Sequence, residues 1–158
     1  MQKMKPFLWF DNQAEEAANF YISVFGSGKI GQIFRAPEGG PLPVGSAIVV
    51  SFEVRGLEFV AMNGGPGHPF TDAISFSVDC ADQAEIDNLW QKLTENGGQE
   101  IACGWLRDKY GLSWQIVPAN VTELLRGKDA AGGARAFQAM MQMKKLDIAE
   151  LKRAGGLA

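Results

Sequence analysis

A chain of 158 residues has the length of one domain, and its apolar and charged shares are those of an ordinary globular protein. A net charge of −3 supplies no basic footprint for nucleic acid, which needs clustered Lys and Arg on the phosphates. No apolar stretch approaches the roughly 20 residues of a membrane span, and Cys80 and Cys103 lack the spacing of a redox motif or a disulfide framework.

In chain order, Phe7-Leu8-Trp9-Phe10 is an apolar run of strand length. It is too short for a signal-peptide core, so a cytoplasmic chain with two reduced thiols is expected. Asn12-Gln13-Ala14-Glu15 follows, with an Asx residue three places before Glu. That spacing predicts a capped helix start. Ala17, Tyr21, Val24 and Phe25 recur at helical spacing, and Gly26-Ser27-Gly28 ends the helix with residues that tolerate the left-handed conformation. Segments 30–35, 47–54 and 56–61 read as strands. The Gly- and Pro-rich segment 37–43 reads as a loop, and 63–69 as a linker that carries the single histidine, His68.

The pattern then repeats. Segment 73–78 reads as a strand, and Asp82-Gln83-Ala84-Glu85 again has capping-box spacing. Ile86, Leu89, Trp90 and Leu93 form the helical stripe, Asn96-Gly97-Gly98 closes it, and 100–105 and 111–116 read as strands. Gly56-Leu57-Glu58-Phe59 and Gly111-Leu112-Ser113-Trp114 match as turn glycines leading into terminal strands. These repeats predict an α+β domain over 1–118. Its two βαβββ halves, about 1–65 and 70–118, each form a curved mixed sheet with a helix on the outer face.

Residues 119–158 read as a helical extension packed on the domain or on a partner subunit. Asn120/Glu123 and Asp147/Glu150 repeat the capping spacing, and Gly132-Gly133 is expected to separate the first tail helix from the second. Lys144, Lys145, Lys152 and Arg153 are interleaved with Asp147 and Glu150, the mark of a solvated face.

Side chains alternate across a strand. Ile74, Phe76 and Val78 suit burial under a helix, as do Trp114 and Ile116. Parity places Phe7, Trp9, Val60, Met62, Ser75, Ser77, Ser113 and Gln115 on the opposite face. Apolar walls with a few hydrogen-bonding groups are the make-up of a small-molecule site. The solvated side of an antiparallel sheet has the same composition, so both readings stand.

The stretches Phe7–Asp11, Ala17–Phe25, Ile74–Asp79, Gly111–Pro118 and Ala139–Ala149 resemble the PhnB-like branch of the vicinal-oxygen-chelate (glyoxalase/bleomycin-resistance) superfamily, often labelled 3-demethylubiquinone 3-methyltransferase. The resemblance implies a divalent metal held from the first and last strands of each half, at the places of Lys5, Val60, Ala73 and Gln115. Metal ligands must be neutral or anionic donors, and of these four only Gln115 qualifies. No metal is expected. The first strand leads through Asp11-Asn12-Gln13 without the glycine-rich turn of the usual S-adenosylmethionine fold, so no cofactor is expected either.

Cys103 could pair with Lys5 or with Asp108 as an activated nucleophile. Trp105–Tyr110 reads as a strand end and turn, and Trp9, Trp90 and Trp114 as core or pocket wall. The resulting expectation is a metal-independent small-molecule-binding protein, with no nucleic-acid or membrane partner. Two alternatives remain: an enzyme of the isomerase/dioxygenase or methyltransferase type, and a dimeric interaction module. The resemblance implies a homodimer. Phe137, Met140, Met141, Leu146, Ile148 and Leu151 offer a tail surface for it.

Overall fold

The two repeats form two separate four-stranded sheets. The computed structural model describes residues 2–157, and the chain divides into one unit ending at Pro69 and another beginning at Phe70.

In the first unit β1 (Phe7–Phe10) is followed by α1 (Ala14–Phe25), β2 (Gly28–Arg35), β3 (Ala47–Val54) and β4 (Leu57–Asn63). The strand order is β1-β4-β3-β2, with β1 parallel to β4 and the other pairs antiparallel. Leu8, Phe10, Val50, Phe52, Phe59 and Ala61 are buried, as are Ala14, Ala17, Ala18, Tyr21, Val24 and Phe25 of α1. Phe52 stacks between Tyr21, at 6.2 Å, and Phe59, at 5.2 Å. Fully burying an aromatic or branched side chain contributes about 1.5–3 kcal/mol, so this layer holds the unit together.

The helix ends as predicted, at Gly26 with φ 67°. Its start differs. Asn12 does not cap it, and the N-cap is Gln13 without a side-chain bond. The Ala14 N–H donates instead to Asn63 Oδ1 at 2.8 Å, while Asn63 Nδ2 donates to Ala47 O at 3.0 Å. An amide from the end of β4 thus satisfies an orphan donor that the local residue leaves open.

The second unit contains β5 (Ser75–Cys80), α2 (Gln83–Thr94), β6 (Gln99–Glu100), β7 (Trp105–Arg107), β8 (Ser113–Pro118), α3 (Val121–Arg126), α4 (Ala130–Met141) and α5 (Ile148–Gly155). The order β5-β8-β7-β6, with β5 parallel to β8, matches that of the first sheet. Val78, Cys80, Leu106, Trp114 and Ile116 are buried with Ile86, Leu89, Trp90 and Leu93. Here the predicted Asp82 cap forms, and the Glu85 side chain reaches back one residue beyond it. The Glu85 N–H donates to Asp82 Oδ1 at 2.9 Å, and Glu85 Oε2 accepts from Ala81 N–H at 2.7 Å.

Four expectations are corrected. The predicted strand 100–105 is broken by a turn, because the Cys103 and Gly104 N–H groups donate to Met143 O and Lys144 O, each at 2.8 Å. Donors spent on the tail cannot serve a ladder. Strand 73–78 begins late, at Ser75, which leaves Ile74 69 % exposed. Asn120 starts α3 without a side-chain cap. Gly132 and Gly133 lie inside α4 rather than between helices. A Cβ on Gly132 would come within 2.4 Å of Gly155 O, so this glycine lets α4 cross α5 closely.

The tail is tied to its own unit. Gln83 donates from Nε2 to Leu146 O at 3.0 Å and accepts from Ile148 N–H at 2.9 Å, and Lys145 pairs with Asp87 at 2.7 Å. Leu124, Ala136, Leu146 and Leu151 are buried, whereas Phe137 and Met141 are about half exposed. The predicted apolar stripe therefore splits between the interior and the surface. No helix among the described residues is long and apolar enough to cross a membrane.

Candidate functional site

In each sheet the face turned away from the helix carries the residues predicted by parity. In the first unit Phe7 is the register partner of Val60, and Trp9 of Met62. Phe7 is 58 % exposed, and Trp9, Val60 and Met62 are half-buried. The linker folds back on Trp9. Its indole Nε1 donates to Gly65 O at 2.9 Å, and the His68 ring lies 4.2 Å from its own, centroid to centroid. A Cβ at Gly64 would sit 2.3 Å from the indole, so only glycine fits there. Sequence reading placed His68 in a loop but missed that the loop returns to Trp9. The glycines of the linker were the available signal.

Lys5 Nζ lies 2.6 Å from Glu58 Oε2. Lys5 precedes Phe7 by two residues and Glu58 precedes Val60 by two, so the β1/β4 register brings Glu58, not Val60, to Lys5. The Lys5 ammonium holds the Glu58 carboxyl below its usual range. Lys29, Ser51 and Glu53 join this pair around a depression of about 90 Å³.

In the second unit Ser75 pairs in register with Ser113, and Ser77 with Gln115. Gln115 Nε2 donates to Ser75 Oγ at 3.0 Å. The Ser113 hydroxyl is buried and donates to Asp72 Oδ1 at 2.5 Å. Ser77 is the exposed serine of the set. Trp105 lies opposite Gln115 on β7, and Arg107 opposite Ser113, so both share this face.

Arg107 donates from Nε to Asp72 Oδ1 at 2.8 Å, from Nη2 to Asp72 Oδ2, and from Nη1 to Gln99 Oε1 at 3.1 Å. Asp72, Trp105 and Arg107 escaped the sequence reading as site residues. Asp72 lies in a turn before β5, and pattern alone does not tie it to Arg107.

Arg107, together with the Ser113 hydroxyl, holds the Asp72 carboxyl well below the usual carboxylate range. A carboxylate with a depressed folded pKa stabilises the fold above its unfolded pKa, about 3.9, and loses that contribution as pH falls toward the folded value. Asp72→Asn is therefore expected to lower the urea midpoint at pH 7. The gap from the unaltered protein should narrow steadily between about pH 5 and pH 2. A gap that stays constant on acidification would show that the pair contributes through packing rather than charge.

The remaining candidates separate. Asp108, 2 % exposed, accepts from Tyr110 N–H at 2.9 Å, Leu112 N–H at 3.1 Å and Trp114 Nε1 at 2.9 Å. It organises the turn before β8. The Cys103 thiol meets Met141 Sδ at 3.7 Å and Asp108 serves its own turn and Trp114, so the expected Cys103–Asp108 pair is not assembled.

The residues do not fit the superfamily's metal. Lys5 is cationic and engaged, Val60 and Ala73 have no donor, and Ala73 stands outside β5. Among the described residues no three His, Cys, Asp or Glu side chains gather as a metal-binding group. A nucleotide-like cofactor of the usual kind fits no better. The turn after β1 has no glycine, and Asp82 already fills the N-terminus of α2.

The family model described as 3-demethylubiquinone-9 3-methyltransferase matches residues 2–117. A solved structure titled a putative 3-demethylubiquinone-9 3-methyltransferase, PhnB protein, from Bacillus cereus is 38% identical. It matches 75% of this chain and 100% of its own, with a TM-score of 0.68. A protein from Pseudomonas aeruginosa is 20% identical over 73% of this chain and 96% of its own, with a TM-score of 0.59. A glyoxalase/bleomycin resistance protein from Albidiferax ferrireducens is 13% identical over 71% and 93%, with a TM-score of 0.46. No curated protein sequence matches.

Proposed function

The chain belongs to the 3-demethylubiquinone-9 3-methyltransferase family, and from that premise we propose that it binds a small, partly apolar molecule without a metal, as a cytoplasmic homodimer. Family and fold place it in the glyoxalase/bleomycin-resistance superfamily. The observation that carries the proposal is what stands where the superfamily's metal donors are expected. A Lys5–Glu58 ion pair occupies one sheet, and a Gln115–Ser75 hydrogen bond the other.

Around these pairs the exposed faces offer apolar area from Phe7, Trp9, Val60 and Met62, and hydrogen-bonding groups from Ser77 and Gln115. Ser75 and Ser113 hold the polar groups in place. The half-exposed Phe137 and Met141 supply apolar surface for a second copy, and closed two-fold pairs are the commonest assembly. Thiols outside any disulfide suit a reducing compartment.

Native mass spectrometry of freshly purified protein tests all three parts together. The expected spectrum is a dimer, free of metal, carrying a dissociable small mass. In calorimetry with that compound, Trp9→Ala or Gln115→Ala, according to which sheet face holds it, should weaken binding about tenfold, the equivalent of roughly 1.4 kcal/mol. Near-stoichiometric Ni, Zn, Fe or Mn would overturn the metal-free reading. Saturable heat with S-adenosylmethionine would move the protein to the methyltransferases. Unchanged affinity in both variants would place the ligand away from these faces.

A further inference from the structure

The face of the first sheet turned away from α1 changes character along its strands. One apolar row crosses all four of them in register: Phe34 opposes Val49, Val49 opposes Met62, and Met62 opposes Trp9. Phe34 is 60 % exposed, and Val49, Met62 and Trp9 are half-buried. The returning linker walls this row at Trp9, through Gly65 O and the His68 ring. A row of charges crosses the same strands further along. Lys29 opposes Glu53, and Glu53 opposes Glu58. Lys29 pairs with Glu53 at 3.9 Å and Lys5 with Glu58 at 2.6 Å, around the depression of about 90 Å³. Between the two rows Val60 and Phe7 continue the apolar floor, with Ser51 opposite Val60.

Two carboxylates directly opposed on neighbouring strands repel, and here each is offset by a lysine, so the row sums to zero. A charged head group entering the depression meets its like charge or breaks a pair. A hydroxyl donates to a carboxylate and accepts from an ammonium without doing either, and a depression of this size holds only a small head. On β3 and β4 the rows stand four residues apart, from Glu53 to Val49 and from Glu58 to Met62. That is about 13 Å at the rise of a strand, roughly the length of extended octanol. Resting on the reading that the protein binds a small, partly apolar molecule, we infer that the first sheet takes a linear amphiphile with a small uncharged head. The head lies at the charge row, and the chain runs along the strands to the row of Trp9 and Phe34.

Calorimetry of the full chain at pH 7 with octanol, octanoate and octylammonium tests this. Octanol is expected to bind about tenfold more tightly than either ion. Affinity should rise about fourfold per methylene from butanol to octanol. Lys29→Glu gives the row a net negative charge and should raise octylammonium affinity about fivefold relative to octanol. Phe34→Ser should weaken octanol about tenfold. Ile74→Ser, which removes a 69 % exposed apolar side chain from the second unit, should leave octanol affinity unchanged. Circular dichroism checks the fold of each variant. An ion that binds as tightly as octanol overturns the inference, as does a Lys29→Glu protein with the original head-group preference. Equal weakening in Phe34→Ser and Ile74→Ser overturns it too. Loss of the dimer in Phe34→Ser, with no heat from octanol, would put a second copy on this face instead. A co-purifying compound released by Gln115→Ala, again with no heat from octanol, would sink this inference and leave the wider reading standing. Absence of any bound compound would sink both.

Discussion

Asp108→Ala is expected to destabilise the protein by about 3–5 kcal/mol. The carboxylate is 2 % exposed and accepts three hydrogen bonds, from the Tyr110 and Leu112 N–H groups and from the Trp114 indole. Leu112 and Trp114 are themselves buried. Alanine leaves these donors facing protein, and each unsatisfied buried group costs about 1–3 kcal/mol. The turn is doubly committed, since Asp108 N–H donates to Leu112 O and Gly111 N–H to Asp108 O, each at 2.9 Å. Asp108→Asn separates the two carboxylate oxygens. Its remaining oxygen still accepts from the backbone, but its NH2 group confronts the indole N–H, so a smaller loss of about 1–3 kcal/mol is expected. Urea unfolding followed by tryptophan fluorescence checks both. An alanine variant within about 1 kcal/mol of the unaltered protein would show that water replaces the carboxylate at this turn.

Gly132→Ala is expected to destabilise by about 1–3 kcal/mol, the usual cost of overpacking. Helix propensity alone gives the opposite sign, because alanine is favoured over glycine in a helix by about 0.8–1 kcal/mol. The deciding contact is the 2.4 Å approach of the added Cβ to Gly155 O. That neighbour is backbone, so relief requires α4 and α5 to separate. Gly133→Ala meets Arg126 O at 2.7 Å and should act in the same direction. The measurement is the thermal midpoint, paired with limited proteolysis between α3 and α4. A raised midpoint for Gly132→Ala would mean that the helices cross less closely than described.

The repeat was legible because its signals are local. Alternation told Leu8 and Phe10 from Phe7 and Trp9, and a three-residue spacing located the caps at Asp82 and Asp147. Local spacing failed at Asn12 and Asn120, which have the same pattern but make no side-chain cap. At α1 the competitor was Asn63, arriving from the end of β4. The candidate faces were legible by parity as well. Their chemistry was not, because it depends on which residues from distant strands become neighbours.

The sequence by itself determined the two βαβββ units and the helix-facing and open sides of their strands. These properties follow from side-chain type and from periods of two and 3.6 residues, which the backbone imposes within a few residues. Only the tertiary structure decided that Glu58 meets Lys5, that Asp72 holds Arg107 and Ser113, that His68 lies against Trp9 and that Gly132 admits Gly155. Each of these contacts joins residues tens of positions apart. Their meeting depends on strand register, turn length and helix crossing, and no local period encodes any of the three.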